Sequence, residues 1–287
     1  MFMRMFLFLM TNVAVVVTIS IILSLFGIRP DDGLVPMAIF CFIWGMGGAF
    51  ISLAISRWMA KRAMGVKLVD GNTGNAEADW LFRTVERMAQ QANLPTPEVG
   101  IYESPEINAF ATGPSKKRSL VAVSTGILRS MKRNELEAVL AHEVSHIGNG
   151  DMVTMTLLQG VMNAFVMFIS RIIASVVAGN ARDERGSSMM YFGVRVVAEI
   201  VLGIAGSIIT AWFSRHREFR ADAGGAALAG TSNMVAALER LAAGPQGVDP
   251  RAPALASFKI SGGARGFMAL FSTHPPLEDR IQALRNR

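Results

Sequence analysis

The chain has 287 residues, enough for one or two domains. Of these, 51% are hydrophobic and only 17% charged, against about 25% charged in an ordinary soluble domain, and the mean hydropathy is +0.37, an apolar excess that points to membrane spans. The net charge of +6 comes from basic residues placed beside apolar segments, with no basic-aromatic run, so nucleic acid is set aside as a partner. A single cysteine, Cys41, leaves no internal disulfide and no Cys–Cys metal spacing, and inside its apolar run it reads as a small buried hydrophobe.

Residues 5–28 carry no charge and are long enough to cross a bilayer, which takes about 20 residues. The run exceeds the apolar core of a cleaved signal peptide, about 7–15 residues, and a second apolar run follows directly, so it reads as a retained span. Residues 34–56 form the second span, where Gly45, Gly47 and Gly48 suit close helix packing. Arg57, Lys61, Arg62 and Lys67 follow, and the positive-inside rule assigns that side, with the N-terminus, to the cytoplasm. Residues 70–150 are soluble in character. A turn at 71–74 precedes an amphipathic helix over 77–94, with Leu81, Val85 and Met88 at helical spacing and Pro95 and Pro97 as its stop. Short strands are expected at 99–102, 107–112 and 120–124. Asn134 and Glu137 have capping-box spacing for a helix whose apolar stripe is Leu136, Leu140, Val144 and Ile147.

Residues 152–181 and 186–214 predict a third and a fourth span around a charged turn at 182–185. Arg171 and Glu199 lie at similar distances from that turn and are expected to pair at one depth as structural glue, with Arg195 nearer the far interface. Arg215, Arg217 and Arg220 mark the return to the cytoplasmic side. Helices over 215–228 and 233–243 follow, the second capped by Ser232. A Pro/Gly-rich loop at 244–256, a further loop at Gly262 and Gly263, and a charged helix over 277–285 behind Pro275 and Pro276 complete the chain. The fold class is an α+β membrane protein, mainly helical, with about four transmembrane helices and a small β-sheet. Its segments are a transmembrane pair over 1–60, a first soluble part over 61–151, a second transmembrane pair over 152–213 and a second soluble part over 214–287.

The chemistry centres on His142-Glu143-Val144-Ser145-His146. Two imidazoles four residues apart share a helix face, the spacing that lets both bind one Zn²⁺, and the carboxylate beside the first is placed to take a proton from an activated water. The stripe from Leu136 to Ile147 would bury one face and aim the imidazoles elsewhere. A catalytic zinc keeps three protein ligands. Only His216 and His274 remain among the histidines, so a carboxylate is the other source. Glu218 and Asp222 are one helical turn apart, which suits a ligand and the acceptor of a ligating imidazole's free N–H; the same spacing suits a solvated face with i,i+4 pairs such as Glu218 with Arg215 or Asp222.

Four stretches together resemble the HtpX family of integral-membrane zinc metallopeptidases over essentially the whole chain. They are residues 108–113 (NAFATG), 142–151 (HEVSHIGNGD), 214–222 (SRHREFRAD) and 273–276 (THPP). The resemblance implies a cytoplasmic gluzincin-like protease domain holding one Zn²⁺ per chain, with His142, His146 and Glu218 as ligands, Glu143 as catalytic base and Asp222 behind the ligands. It also implies that Asn108, Ala109, Phe110 and Ala111 form an edge strand on which a substrate backbone adds. His274 is the candidate donor to the tetrahedral oxyanion or an orienting partner of the site, and Arg280 is an alternative donor; His216 reads as a juxtamembrane surface residue. The implied partners are polypeptides, in particular damaged or misassembled membrane proteins, and the lipid bilayer; the implied location is the bacterial cytoplasmic membrane, multi-pass, with the site facing the cytoplasm. Two other classes compete. A membrane scaffold with a structural metal would not need Glu143 and would use four protein ligands. A transporter using Arg171 and Glu199 leaves the metal motif unexplained.

Overall fold

The computed structural model describes residues 33–179, 184–243, 270 and 272–287. The expected first span at 5–28 lies outside the described residues, as do Arg182 and Asp183 of the charged turn and the loops at 244–256 and 262–263. In chain order the elements are α1 (Leu34–Met64), β1 (Lys67–Val69), α2 (Ala76–Gln91), β2 (Glu98–Tyr102), β3 (Ala109–Ser115), β4 (Arg118–Ser124), α3 (Thr125–Ser130), α4 (Arg133–Asn149), α5 (Asp151–Ala178), α6 (Glu184–Ala229), α7 (Thr231–Ala243) and α8 (Leu277–Arg285). Helices α1, α5 and α6 are long and apolar enough to cross a membrane. Two compact units result, one from Met1–Ser52 with Thr156–Ser207, the other from Leu53–Met155 with Ile208–Arg287.

The described residues of the first unit are helical. A Cβ at Gly45 of α1 would stand 2.5 Å from the Ala164 backbone nitrogen of α5, and one at Gly160 would stand 2.7 Å from Met46 Sδ, so the glycines do set a close helix contact; Gly48 faces open space. Cys41 is buried as expected. The expected Arg171–Glu199 pair does not form. Glu199 meets Arg195, one turn earlier on the same helix, at 3.8 Å. Arg171 instead points Nη1 at Cys41 Sγ, 3.8 Å away, and lies over the Phe40 ring.

The second unit is built on a four-stranded sheet in the order β1-β2-β4-β3. β2 and β4 run parallel with Val99 opposite Val121, while β1 and β3 are antiparallel to their neighbours. β4 is buried at every position after Arg118 because both its faces are covered. Val121 and Val123 meet Leu81, Val85 and Met88 of α2 and the Leu136–Leu140–Val144–Ile147 stripe of α4. Leu120 and Ala122 face the other way, against Ala60 and Met64 at the end of α1. The predicted stripe of α4 is therefore the core face, and α4 also packs on β3.

Several local expectations are corrected. α4 begins at Arg133, with the Lys132 backbone N–H donating to Glu135 at 2.9 Å, so the box lies two residues earlier than Asn134 and Glu137; Asn134 instead bonds Asn233. α2 starts at the Asn75 cap, whose side chain accepts from the Glu77 and Ala78 backbones. Ser232 lies inside α7, which follows Gly230 at φ +92°. The fourth span and the helix expected at 215–228 are one helix, α6, since no Pro or turn residue interrupts residues 208–220. β1 and α3 are short elements that the apolar pattern did not single out.

Candidate metal centre

The site lies on α4, α6 and the segment entering α8. His142 and His146 sit one turn apart on α4, 3% and 7% exposed, and their Nε2 atoms face each other at 3.1 Å. Glu218, fully buried on α6, closes the triangle: Oε1 is 3.3 Å from His146 Nε2 and Oε2 is 3.5 Å from His142 Nε2. Tetrahedral zinc with bonds of 2.0–2.1 Å separates its ligands by about 3.3 Å, so these donors fit the ion. Two glycines let α6 come this close to α4. A Cβ at Gly224 would stand 2.6 Å from Ser145 Oγ, and one at Gly225 would stand 3.1 Å from the His142 backbone nitrogen.

Each imidazole turns its other nitrogen to a carboxylate. His146 Nδ1 lies 2.6 Å from Asp151 Oδ2, and His142 Nδ1 lies 3.0 Å from Asp222 Oδ1, close but off the line of a hydrogen bond. That arrangement leaves Nε2 as the atom for a metal. Asp222 is gripped by Arg280, whose Nε donates to Oδ2 at 2.8 Å and Nη2 to Oδ1 at 2.6 Å. Arg280 is buried, with Nη1 3.5 Å from Glu218 Oε2. Here it is a clamp on Asp222 and Glu218. His274 Nδ1 meets Glu218 Oε2 at 2.9 Å. Arg220 Nη2 donates to Asp151 at 3.0 Å, and Arg217 Nη2 stands 3.3 Å from Glu218 Oε1.

The electrostatics favour positive charge at the centre. Burial opposes a charged imidazole, but the Asp222 and Glu218 carboxylates beside His142 outweigh it and raise its pKa to about 9. Burial also opposes an ionised Asp222, yet Arg280 and His142 hold it down at about 2. Glu218 is held well below the usual carboxylate range, against its burial, by His142, His146 and His274. His142 Nδ1, Glu218 Oε1, His274 Nε2 and Arg280 Nη1 are all buried without a hydrogen-bond partner. Buried polar atoms are rarely left unpaired, and four in one contact network mark a place shaped for a further group.

Glu143 is 5% exposed, and among the described residues its carboxylate has no hydrogen-bond or ion-pair partner. Asn108, 7% exposed, stands just before β3; its N–H donates to Ser124 Oγ at 3.2 Å, and its side-chain oxygen is buried without a partner. Ala109, Phe110 and Ala111 lie on β3, the outer strand of the sheet on that side. His216 is exposed, its ring against Trp212. Sequence reasoning assigned Asp151 no task. Its signal was Gly150 at φ +69°, which ends α4 and turns the next residue back toward His146. Nothing local in the sequence distinguished Arg280 as the clamp.

The family model for peptidase family M48 matches residues 75–287. Protease HtpX of Idiomarina loihiensis is 51% identical over 288 residues, covering 99% of this chain and 99% of its own. Protease HtpX of Yersinia enterocolitica is 52% identical over 294 residues, covering 99% of this chain and 98% of its own. The crystal structure of S. mikatae Ste24p shares the fold with a TM-score of 0.65 at 19% identity, over 96% of this chain and 64% of that one.

Proposed function

The chain belongs to peptidase family M48 and is a multi-pass membrane metalloprotease, and from that premise we propose that His142, His146 and Glu218 hold a single zinc ion with Glu143 as the catalytic base. The observation that carries the reading is the convergence of two Nε2 atoms and one carboxylate at 3.1–3.5 Å, each imidazole backed by a second carboxylate. A bound zinc supplies Lewis acidity, activating a water and polarising the peptide carbonyl. The unpaired carboxylate of Glu143 takes the proton of the attacking water and passes it to the leaving amine. Asp222 and Asp151 hold the imidazoles in the tautomer with Nε2 free, and Arg280 holds Asp222. His274 donates to Glu218 through Nδ1, so only its imidazolium form carries a second N–H for the oxyanion.

The outer strand β3, packed beside α4, supports a substrate segment laid along Asn108, Ala109, Phe110 and Ala111 as an added strand. The family resemblance extends the reading to damaged or misassembled membrane proteins as substrates, hence quality control. The basic residues following α1's apolar stretch extend it to a site on the cytoplasmic side of the inner membrane. Purified, zinc-loaded Glu143→Gln is expected to keep its metal and lose proteolysis of an unfolded substrate by about 10²-fold or more. Unchanged cleavage removes Glu143 as base. Glu218→Ala is expected to release zinc, and full retention of the metal refutes the ligand set.

A further inference from the structure

The β3–β4 turn carries three consecutive basic residues, Lys116, Lys117 and Arg118, all exposed. None has an ion-pair partner among the described residues. Two-residue hairpin turns ordinarily use Gly, Asn or Asp at positive φ. Neither lysine does so, Asn93 being the one non-glycine at positive φ among the described residues. The chain reverses at Lys116 and Lys117, with Ser115 opposite Arg118, just after a bulge between Thr112 and Ser115. Gly113 lies there at φ +142°, where a Cβ would strike the Arg118 carbonyl. Ser119 Oγ donates to the Lys116 carbonyl at 3.1 Å. The turn is thus a built feature that holds three cations where residues of better turn propensity were available.

Its position gives it a partner. Glu98 stands opposite Leu120, so Arg118 lies two residues, roughly 7 Å, beyond the level of Glu98. Glu98 receives Arg57 at 3.1 Å and Lys61 at 3.0 Å from α1. From there α1 descends along the sheet to Met64, and β1 starts with Lys67 opposite Ile101. The Glu98 end of the sheet is therefore the end at which α1 enters this unit from Leu53, and the Lys116–Lys117 turn lies at the same end. Ile55, Trp58 and Met59 are exposed apolar residues of α1 there, with Arg62 one turn beyond Trp58, the mixture that suits a membrane–water boundary. Acidic groups near this end include Glu98, already paired twice, Asp70, which accepts from the Asn72 backbone, and Asp79, bonded by Thr73 of the loop that follows.

We propose that the Lys116–Arg118 turn is a docking surface for anionic phospholipid headgroups, a lipid contact made by the sheet in addition to the spans. Phosphodiester headgroups supply the negative charge that these three side chains lack within the protein, and basic residues near an anionic leaflet each strengthen binding about fivefold. The test uses the full chain in detergent with phosphatidylglycerol or phosphatidylcholine, counting retained lipids by native mass spectrometry. Wild type is expected to retain phosphatidylglycerol preferentially. The triple variant Lys116→Gln, Lys117→Gln, Arg118→Gln is expected to lose that preference at least tenfold at unchanged melting temperature, while Lys132→Gln keeps it. A second measurement follows amide exchange of residues 115–119 in nanodiscs, expected to slow with phosphatidylglycerol and not with phosphatidylcholine. Equal retention by wild type and triple variant, or no preference in wild type, overturns the proposal. Displacement of the lipid by millimolar inorganic phosphate overturns it too, by making the turn a site for free anions.

Discussion

Asp151 touches His146 at 2.6 Å and is itself held by Arg220, so the imidazole proposed as a ligand depends on a residue from the next helix. Asp151→Ala is expected to weaken zinc binding about 10–100-fold in competition with a chelator, with Asp151→Asn recovering part of the loss. Unchanged affinity in both variants sinks that role. His274 poses a sharper choice, because one nitrogen meets Glu218 and the other is buried without a partner. The 2.9 Å contact predicts that His274→Ala lowers zinc affinity about tenfold or more. If affinity stays and turnover alone falls about 10²–10³-fold, His274 acts on the oxyanion. At this scale the motif residues were legible, since helical spacing places His142 with His146 and Glu218 with Asp222. The clamp was not. Arg280 reads from the sequence as an alternative oxyanion donor, and only the fold buries it against Asp222, 58 residues away in the chain.

Among the elements, the approach of α6 to α4 decides whether Glu218 reaches the imidazoles at all. Gly224 and Gly225 make that approach, and Ser145, a short side chain bonded to the Ala141 carbonyl, has no room to yield. Gly224→Val should push the helices apart at a cost of about 1–3 kcal/mol and lower metal content per chain. Measurement of bound zinc beside thermal unfolding checks it, and a fully loaded, equally stable variant would refute the close-packing account. The stripe of α4 and three of the four strands were visible in the sequence because burial periodicity is local. The continuity of α6 was hidden because its apolar stretch and the charged segment around Glu218 differ in composition, and composition alone suggests a boundary. Helix hydrogen bonding continues regardless of which solvent the side chains face.

For the molecule as a whole, the alternation of apolar helices with charged segments sets a topology that can be tested directly. A reporter fused after Arg287 is expected to fluoresce in the cytoplasm, and the same position fused to alkaline phosphatase should be inactive; an active phosphatase fusion would place the site on the other side. The amino-acid sequence by itself determined the presence of spans, the HEVSH helix with its buried stripe, and the carboxylate pair one turn apart, because hydropathy, charge and helical period act over a few turns of chain. Only the tertiary structure decided the partners. It set Arg195 rather than Arg171 against Glu199, gave Asp222 to Arg280 and His146 to Asp151, and put β3 on the outside of the sheet. Those choices depend on which buried charges and strand edges the packing brings within a few ångströms, and desolvation makes each buried charge take whichever partner lies closest.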